Sequence, residues 1–405
     1  MSVLETPAAG DHAWLLKPDV MRRLSAGGRR LARFQNGLAP RLQARPRPFS
    51  APAPAPLAAP GPRGNVRVND PSMDQIGHTN SESAVAVSGS SLVVGFNDAA
   101  ENASGYAFST DGGGSFTHRR ISPPSAGHTF GDPTLAVGPN GEVYYGTLTT
   151  ILSDTVGSIG VAKSTDGGQT FSAPVDVAAS VENTVDSQDK DALAVDGNPA
   201  SKYKGNVYVA WTDFLSTGET VILFARSTDG GATFGGTTQL SALDTIGVQN
   251  SAIAVAPSGD VYVAYEDGHV VPDGITIWKS TDGGASFFGQ TIVTDLEPLI
   301  TLTGGGGVRA TSYPSLVVDA GSRVHVVYAA TDPTATVDRA DVWYVRSTDG
   351  GTTFAVPSKL NDDATPTTQA FPSIALASDG ALAVKWVDRR GDPAHDALTG
   401  VSMAI

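Results

Sequence analysis

The chain has 405 residues, no cysteine and a formal net charge of −14. Without cysteine there is no disulfide, thiolate metal site or Cys nucleophile, and no run of 18 apolar residues exists to span a membrane as a helix. Hydrophobic residues at 40% suffice for a large core, while 46 Gly and 26 Pro suit an all-β chain with many turns.

The charge is unevenly distributed. Residues 1–64 hold Lys17 and nine Arg against Glu5, Asp11 and Asp19, a balance of +7 that leaves −21 on the remainder. A body that acidic repels a phosphate backbone, so nucleic acid is not an expected partner. Arg22-Arg23, Arg29-Arg30 and Arg33 lead into the polyproline-like run Ala51–Pro56. On composition, 1–64 reads as a basic, disordered arm. Trp14 to Phe34 can alternatively form a short, weakly amphipathic helix interrupted at Gly27-Gly28, and such an arm could touch the acidic body. No apolar stretch follows a basic N-terminal region, so no standard signal peptide is recognised.

From Asn65 onward one pattern repeats six times. A short apolar strand comes first: Ala84–Val87, Thr134–Val137, Ala192–Val195, Ala252–Val255, Ser315–Val318 and Ser373–Leu376. A turn and a second strand follow, such as Val207–Trp211 or Val261–Tyr265, then a third, such as Ile275–Trp278 or Val342–Val345. Five units continue into Ser-Thr-Asp-Gly-Gly-x-Ser/Thr-Phe, centred on Asp111, Asp166, Asp229, Asp282 and Asp349. Paired glycines permit positive φ in a tight turn, and the Asp and Ser/Thr oxygens can take the N–H groups that such a turn leaves unpaired. A fourth strand follows each turn. Four short strands per unit predict a six-bladed β-propeller of four-stranded antiparallel blades over 65–405. The sixth unit stops at Ile405 before any Asp turn. Val66–Asp70 resembles Ser358–Asp362, a fourth strand, so the N-terminal strand is expected to close the last blade.

This turn, at these blade positions, resembles the Asp box, or bacterial neuraminidase repeat, of sialidase-like six-bladed propellers. The resemblance implies a glycan or glycoconjugate as partner, an extracellular or cell-surface location, and a site at the ring end opposite the boxes. It does not by itself imply catalysis, because the box is structural in that family.

Where the units diverge, function is sought. Two residues before each first strand's apolar run the six units read Glu82, Asp132, Lys190, Asn250, Tyr313 and Phe371. His78, His128, Asp189, Asp191, Gln249, Arg309 and Gln369 lie nearby, and Asp98, Asp213, Asp267 and Asp388 follow second strands. Asp at such a strand end commonly begins an Asx turn. Arg309, Arg389 and Arg390 are further loop arginines, and Arg339 resembles the family's third arginine in position.

The family reaction uses a Tyr nucleophile activated by Glu, an Asp acid/base and three arginines holding the substrate carboxylate. Carried over, it makes Asp132 the acid/base, Glu82 the activating or second carboxylate, Tyr313 the nucleophile, and Arg309 and Arg339 anion clamps. His128, Lys190, Asn250, Phe371, Asp388 and Arg389 are candidate substrate contacts. The pattern departs from the family in two places: Asn80–Ser83 has no arginine, and Phe371 stands where the last blade should carry Tyr. Two readings therefore stay open: a sialidase-like glycoside hydrolase with an altered site, and a non-catalytic propeller binding a glycan or a protein. No cofactor is required; a Ca²⁺ site could use Asp189 and Asp191 with Asp186, without EF-hand spacing. A monomer is expected.

Overall fold

The computed structural model describes residues 12–36, 38, 66–74, 80–98, 103–125, 127–151, 156–181, 186–243, 247–268, 273–294, 296, 312–331, 340–392 and 400–405. The fold is a six-bladed β-propeller of antiparallel blades. Blade 1 holds β1–β4 (Ser81–Ser88, Ser91–Asn97, Ser104–Ser109, Thr117–Arg120). Blade 2 holds β5–β8 (Thr129–Val137, Val143–Ile151, Val156–Ser164, Val175–Asp176), and blade 3 β9–β12 (Ser187–Val195, Val207–Phe214, Thr220–Ser227, Thr238–Gln239). Blade 4 holds β13–β16 (Val248–Val255, Val261–Asp267, Gly274–Ser280, Phe288–Val293). Blade 5 holds β17–β20 (Ser315–Val318, Val324–Ala330, Asp341–Ser347, Ser358–Lys359) and blade 6 β21–β23 (Gln369–Leu376, Leu382–Asp388, Gly400–Ala404). All six apolar runs singled out in the sequence are first strands. Among the described residues five sheets have four strands and the sixth has three. Val66–Asp70 adopts no strand, so the closing strand expected there is not formed; Asp70 instead caps a short 3-10 turn, accepting from the Ser72 N–H at 2.9 Å.

Two compact units make up the chain: residues 1–176 with 182–185, containing blades 1 and 2, and residues 177–181 with 186–405, containing blades 3 to 6. In each, the core lies in slices where one blade faces the next. In the first unit Val93 and Tyr106 of blade 1 meet Val143, Tyr145 and Ala162 of blade 2. In the second, Tyr262, Ile275 and Ile277 of blade 4 meet Leu316, Val324, Val326 and Tyr328 of blade 5. Trp211 and Trp386 are buried within strands, whereas Trp278 and Trp343 are partly exposed.

The Asp turns are one design made five times. The leading Ser Oγ donates to the Asp carboxylate at 2.6–2.8 Å (Ser109, Ser164, Ser227, Ser280, Ser347) and accepts from the second Gly N–H at 2.8–2.9 Å. The Ser or Thr four residues after the Asp donates from both its hydroxyl and its N–H, as Thr233 does at 2.6 and 2.9 Å. Donors outweigh the desolvation that opposes them at each Asp, so all five carboxyls lie well below the usual range. For Asp166 burial alone would raise it, yet Thr170 and Ser164 hold it at about 2.

The turn also joins blades. A Cβ on Gly168 would sit 2.0 Å from Val93 Cγ2, and one on Gly284 2.9 Å from the Phe224 ring, both on the preceding blade. Phe171 closes on Tyr106 with ring centroids 4.9 Å apart, and Phe287 on Phe224 at 4.8 Å. Basic residues just before one box grip the next: Arg226 Nη1 donates to Gly283 O at 2.7 Å and Lys279 Nζ to Gly350 O at 2.8 Å. Arg226 and Lys279 thus carry blade-to-blade hydrogen bonds.

Residues 12–36 are helical, where composition favoured disorder. A 3-10 turn (Ala13–Leu16), α1 (Pro18–Arg23) and α2 (Ala26–Gln35) bury Leu15, Val20, Leu24, Leu31 and Phe34. The break falls at Leu24-Ser25 rather than Gly27-Gly28, because Ser25 Oγ caps α2 by accepting from the Gly28 N–H at 2.8 Å. An average over 64 residues hides these few spaced apolar groups.

Two outcomes follow for the boxes. Gly168→Ala, at φ +86° and against Val93, should destabilise the protein by about 1–3 kcal/mol, read from denaturant unfolding. Asp166→Asn should lower the melting temperature at pH 7. Because the folded carboxyl titrates below its unfolded value of 3.8, the advantage of the parent is full above pH 4, and the gap between the two should narrow as pH falls from 4 toward 2.

Candidate functional site

A single backbone device recurs at the start of the blades. In β1, β5, β9, β13 and β21 the pairing register with the second strand slips, between Ser81 and Ala84, Gly131 and Thr134, Asp189 and Ala192, Gln249 and Ala252, and Ala370 and Ser373. The bulged residues are left-handed: Glu82 (φ 50°), Asp132 (55°), Lys190 (57°), Asn250 (60°) and Phe371 (55°). Tyr313 (38°), two residues ahead of β17, matches them, and among the described residues Ser322 is the one other non-glycine with positive φ. These are the six divergent positions of the sequence pattern. A left-handed non-glycine residue costs about 1–2 kcal/mol, and a bulge re-aims its side chain. The backbone strain is constant while the side chains differ.

In the first unit the bulge at Asp132 is clamped by groups with no exposure. Gly131 N–H donates to Ser104 Oγ at 2.9 Å, Thr147 Oγ1 donates to Gly131 O at 2.8 Å, and the Asp132 N–H donates to Asn97 Oδ1. Gly131, at φ +93°, must be glycine, since a Cβ would lie 2.1 Å from that Asn97 oxygen. Asp132 is 2% exposed and Glu82 half-buried. The cation facing this pair comes from α2. Burial pulls the Arg30 guanidinium below its ordinary value while the charges of Asp132, Glu82 and Asp98 oppose the loss, and Nη1 donates to Asp98 O at 3.2 Å. His128 stacks near Phe34, with centroids 5.2 Å apart.

In the second unit Lys190, Tyr313 and Phe371, from blades 3, 5 and 6, come together. Lys190 Nζ lies 5.8 Å from the Tyr313 ring centroid, and the Tyr313 and Phe371 rings are 5.2 Å apart. All three are partly exposed. Asn250 donates from Nδ2 to Glu266 Oε2 at 3.1 Å, and the same oxygen accepts from the Ser312 N–H at 3.2 Å, one residue before Tyr313.

Other candidates have different surroundings. Asp388 is enclosed by donors: Arg390 Nε at 2.7 Å, Ser402 Oγ at 2.7 Å and Trp386 Nε1 at 3.0 Å. Burial would raise its carboxyl, but Ser402, Arg390, Gln369 and Trp386 hold it low. Asp98 is likewise enclosed by His118 Nε2 at 3.0 Å and Arg120 Nε at 2.8 Å. Both are packing nodes, and Arg389 beside Asp388 is buried. Asp189 and Asp191 flank the Lys190 bulge, also buried, and among the described residues no group of three or more His, Asp or Glu side chains is gathered to hold a metal. His78, Arg309 and Arg339 lie outside the described residues. Sequence reasoning missed Arg30, Asn97 and Glu266; Glu266 adjoined Asp267 in the second-strand set, whereas nothing in the sequence linked Arg30 to blade 2.

Several solved structures that share the fold are glycan-processing in name. A Hadza microbial sialidase shares a TM-score of 0.53 at 15% identity over 80% of this chain, which spans 65% of that protein's length. A leech intramolecular trans-sialidase gives 0.54 at 11% identity over 84% of this chain and 70% of its own. The α-L-arabinofuranosidase Arb93A of Fusarium graminearum gives 0.53 at 12% identity over 83% and 94%. At such identities the likeness shows the fold alone. No family model and no curated protein matches the sequence.

Asp213, at the end of β10, has no such ring of donors. Burial first, then the Asp186 charge, push its carboxyl up to about 7 against a single opposing hydrogen bond from Gln188 Nε2 at 3.1 Å. The folded state therefore holds a proton that the unfolded chain releases near pH 4, and stability declines as pH rises from 4 to 7. Asp213→Asn should remove that decline: melting curves of variant and parent should differ most, in the variant's favour, above pH 7 and least near pH 4.

Proposed function

We propose that this protein is a sialidase-like propeller whose left-handed bulge residues engage an acidic glycan. The observation that carries the reading is the gathering of Lys190, Tyr313 and Phe371 from three blades at one strained backbone position. Lys190 supplies the charge for a sugar carboxylate, and the two rings supply apolar faces for a pyranose, the mixed lining that ligand sites use. Asn250, oriented by Glu266, adds a polar contact. The fold neighbours, glycan-processing in name, support the same ligand class.

If the glycan is also hydrolysed, Tyr313 is the nucleophile, because a neutral attacker avoids repulsion by a substrate carboxylate. The family resemblance gives Asp132 and Glu82, at the matching bulges of the first two blades, the roles of acid/base and second carboxylate. Phe371, which lacks a hydroxyl where the family pattern carries Tyr, favours a second reading of binding without turnover.

Binding is measured by calorimetry against sialylated and neutral oligosaccharides, and turnover with a panel of aryl glycosides including a sialoside. Lys190→Ala should weaken the acidic glycan by about tenfold or more, on the scale of a lost charge-assisted contact, and leave neutral ones nearly unchanged. Turnover abolished in Tyr313→Phe and in Asp132→Ala supports hydrolysis, whereas saturable binding without turnover supports the second reading. A parent protein that binds no glycan at all sinks both.

A further inference from the structure

The helical arm lies on the acid-bearing side of the first unit. α2 packs against β5, the strand that carries Asp132. Leu31 has no exposed surface, Phe34 is 7% exposed, and the Phe34 ring lies 5.2 Å from His128 and 5.5 Å from Phe130. One turn earlier, Arg30 donates from Nη1 to Asp98 O at 3.2 Å, and the charges of Asp132 and Glu82 act on its guanidinium. Asn36 fixes the far end of the helix by donating from Nδ2 to Ala32 O at 2.7 Å and His12 O at 2.9 Å. With the arm in place Asp132, one of the carboxylates proposed for chemistry, is 2% exposed.

We propose that α2 is a cis-acting plug: it packs Phe34 on His128 and Phe130 and ties Arg30 to Asp98 O, covering the Asp132 bulge against glycan until it undocks. The inference rests on the reading of the bulges as a glycan site. The chemistry fits a removable element. Residues 12–36 carry Lys17 and five Arg against Asp19, a net +5, beside a propeller sequence of −21, so opposite charge favours docking, and the buried Leu31 and Phe34 flank the Arg30 turn. A ligand that needs the open state binds with an affinity reduced by the fraction of molecules that are open.

The test uses the full-length protein with Arg30→Ala, Arg30→Lys and Leu31→Ala/Phe34→Ala. Hydrogen exchange without any glycan reads docking itself: exchange over Ala26–Gln35 and Thr129–Asp132 should rise in the alanine variants and stay near the parent in Arg30→Lys. Glycan affinity, or turnover of the aryl glycosides, should rise by about tenfold in the same variants. Equal glycan binding by parent and undocked variants overturns the plug while sparing the glycan reading. Lower binding in Arg30→Ala overturns it too, by making Arg30 part of the ligand site. No binding by any of them removes the glycan reading and the plug together, with the exchange data still reporting whether the arm docks. Should the double variant melt well below the parent, Arg30→Ala, which leaves the buried Leu31 and Phe34 in place, decides alone.

Discussion

Asp carboxylates held by hydroxyl and backbone donors shape the five turns that close the third strands of this propeller. The constraint is steric as much as electrostatic. At Gly168 on Val93 and Gly351 on Tyr262 the second glycine lies so close to the preceding blade that a methyl group would overlap it. The Asp then folds the chain over that contact, and the following Phe lands on the same neighbour. Because Arg226 and Lys279 reach forward to the next turn's carbonyls, each of those boxes is gripped by the blade before it. Hydrophobic burial supplies the bulk of the stabilisation, but the boxes fix where each slice of core begins.

The fold was legible because its rules are local and repeated. Alternating apolar strands, a glycine pair and an Asp at fixed offsets recur, so an error in one unit is corrected by the others. Closure was not legible by the same means. Val66–Asp70 resembles Ser358–Asp362, yet Asp70 turns back on Ser72 and the segment adopts no strand. Even in blade 5 the fourth strand pairs only through Ser358 and Lys359, so the resemblance was drawn to the least strand-like part of a blade.

The site was legible as positions rather than as partners. The internal repeat marks the six left-handed residues that precede the apolar runs of the first strands, since a constant offset leaves a constant gap before each run. Whom each side chain meets depends on neighbouring strands. Glu266 reaches Asn250 on the paired strand of its own blade and the Ser312 N–H of the next blade, and Asn97 clamps Asp132 from the end of a strand in the blade before it. Asp98, Asp213 and Asp388 occupy the same place in their blades yet have unlike environments. Two are ringed by Arg, His or Trp donors; the third has one amide and a neighbouring acid. Spacing identifies the position, and only packing decides the proton.

Composition misread the arm for a related reason. Disorder follows when apolar residues are sparse and charge is high, and residues 1–64 fit that description as an average. Folding depends instead on whether a few apolar groups fall on one helical face. Leu24, Leu31 and Phe34 are buried together with the arm docked, and a serine cap at Ser25 fixes where α2 begins. The basic residues that made the segment look unfoldable become favourable once the surface beneath is acidic. Arg30 loses hydration on docking, which opposes burial of its charge, and the charges of Asp132, Glu82 and Asp98 with the Asp98 carbonyl offset part of that loss. The same charges that make Glu82 and Asp132 candidates for chemistry also favour the chain's own arginine.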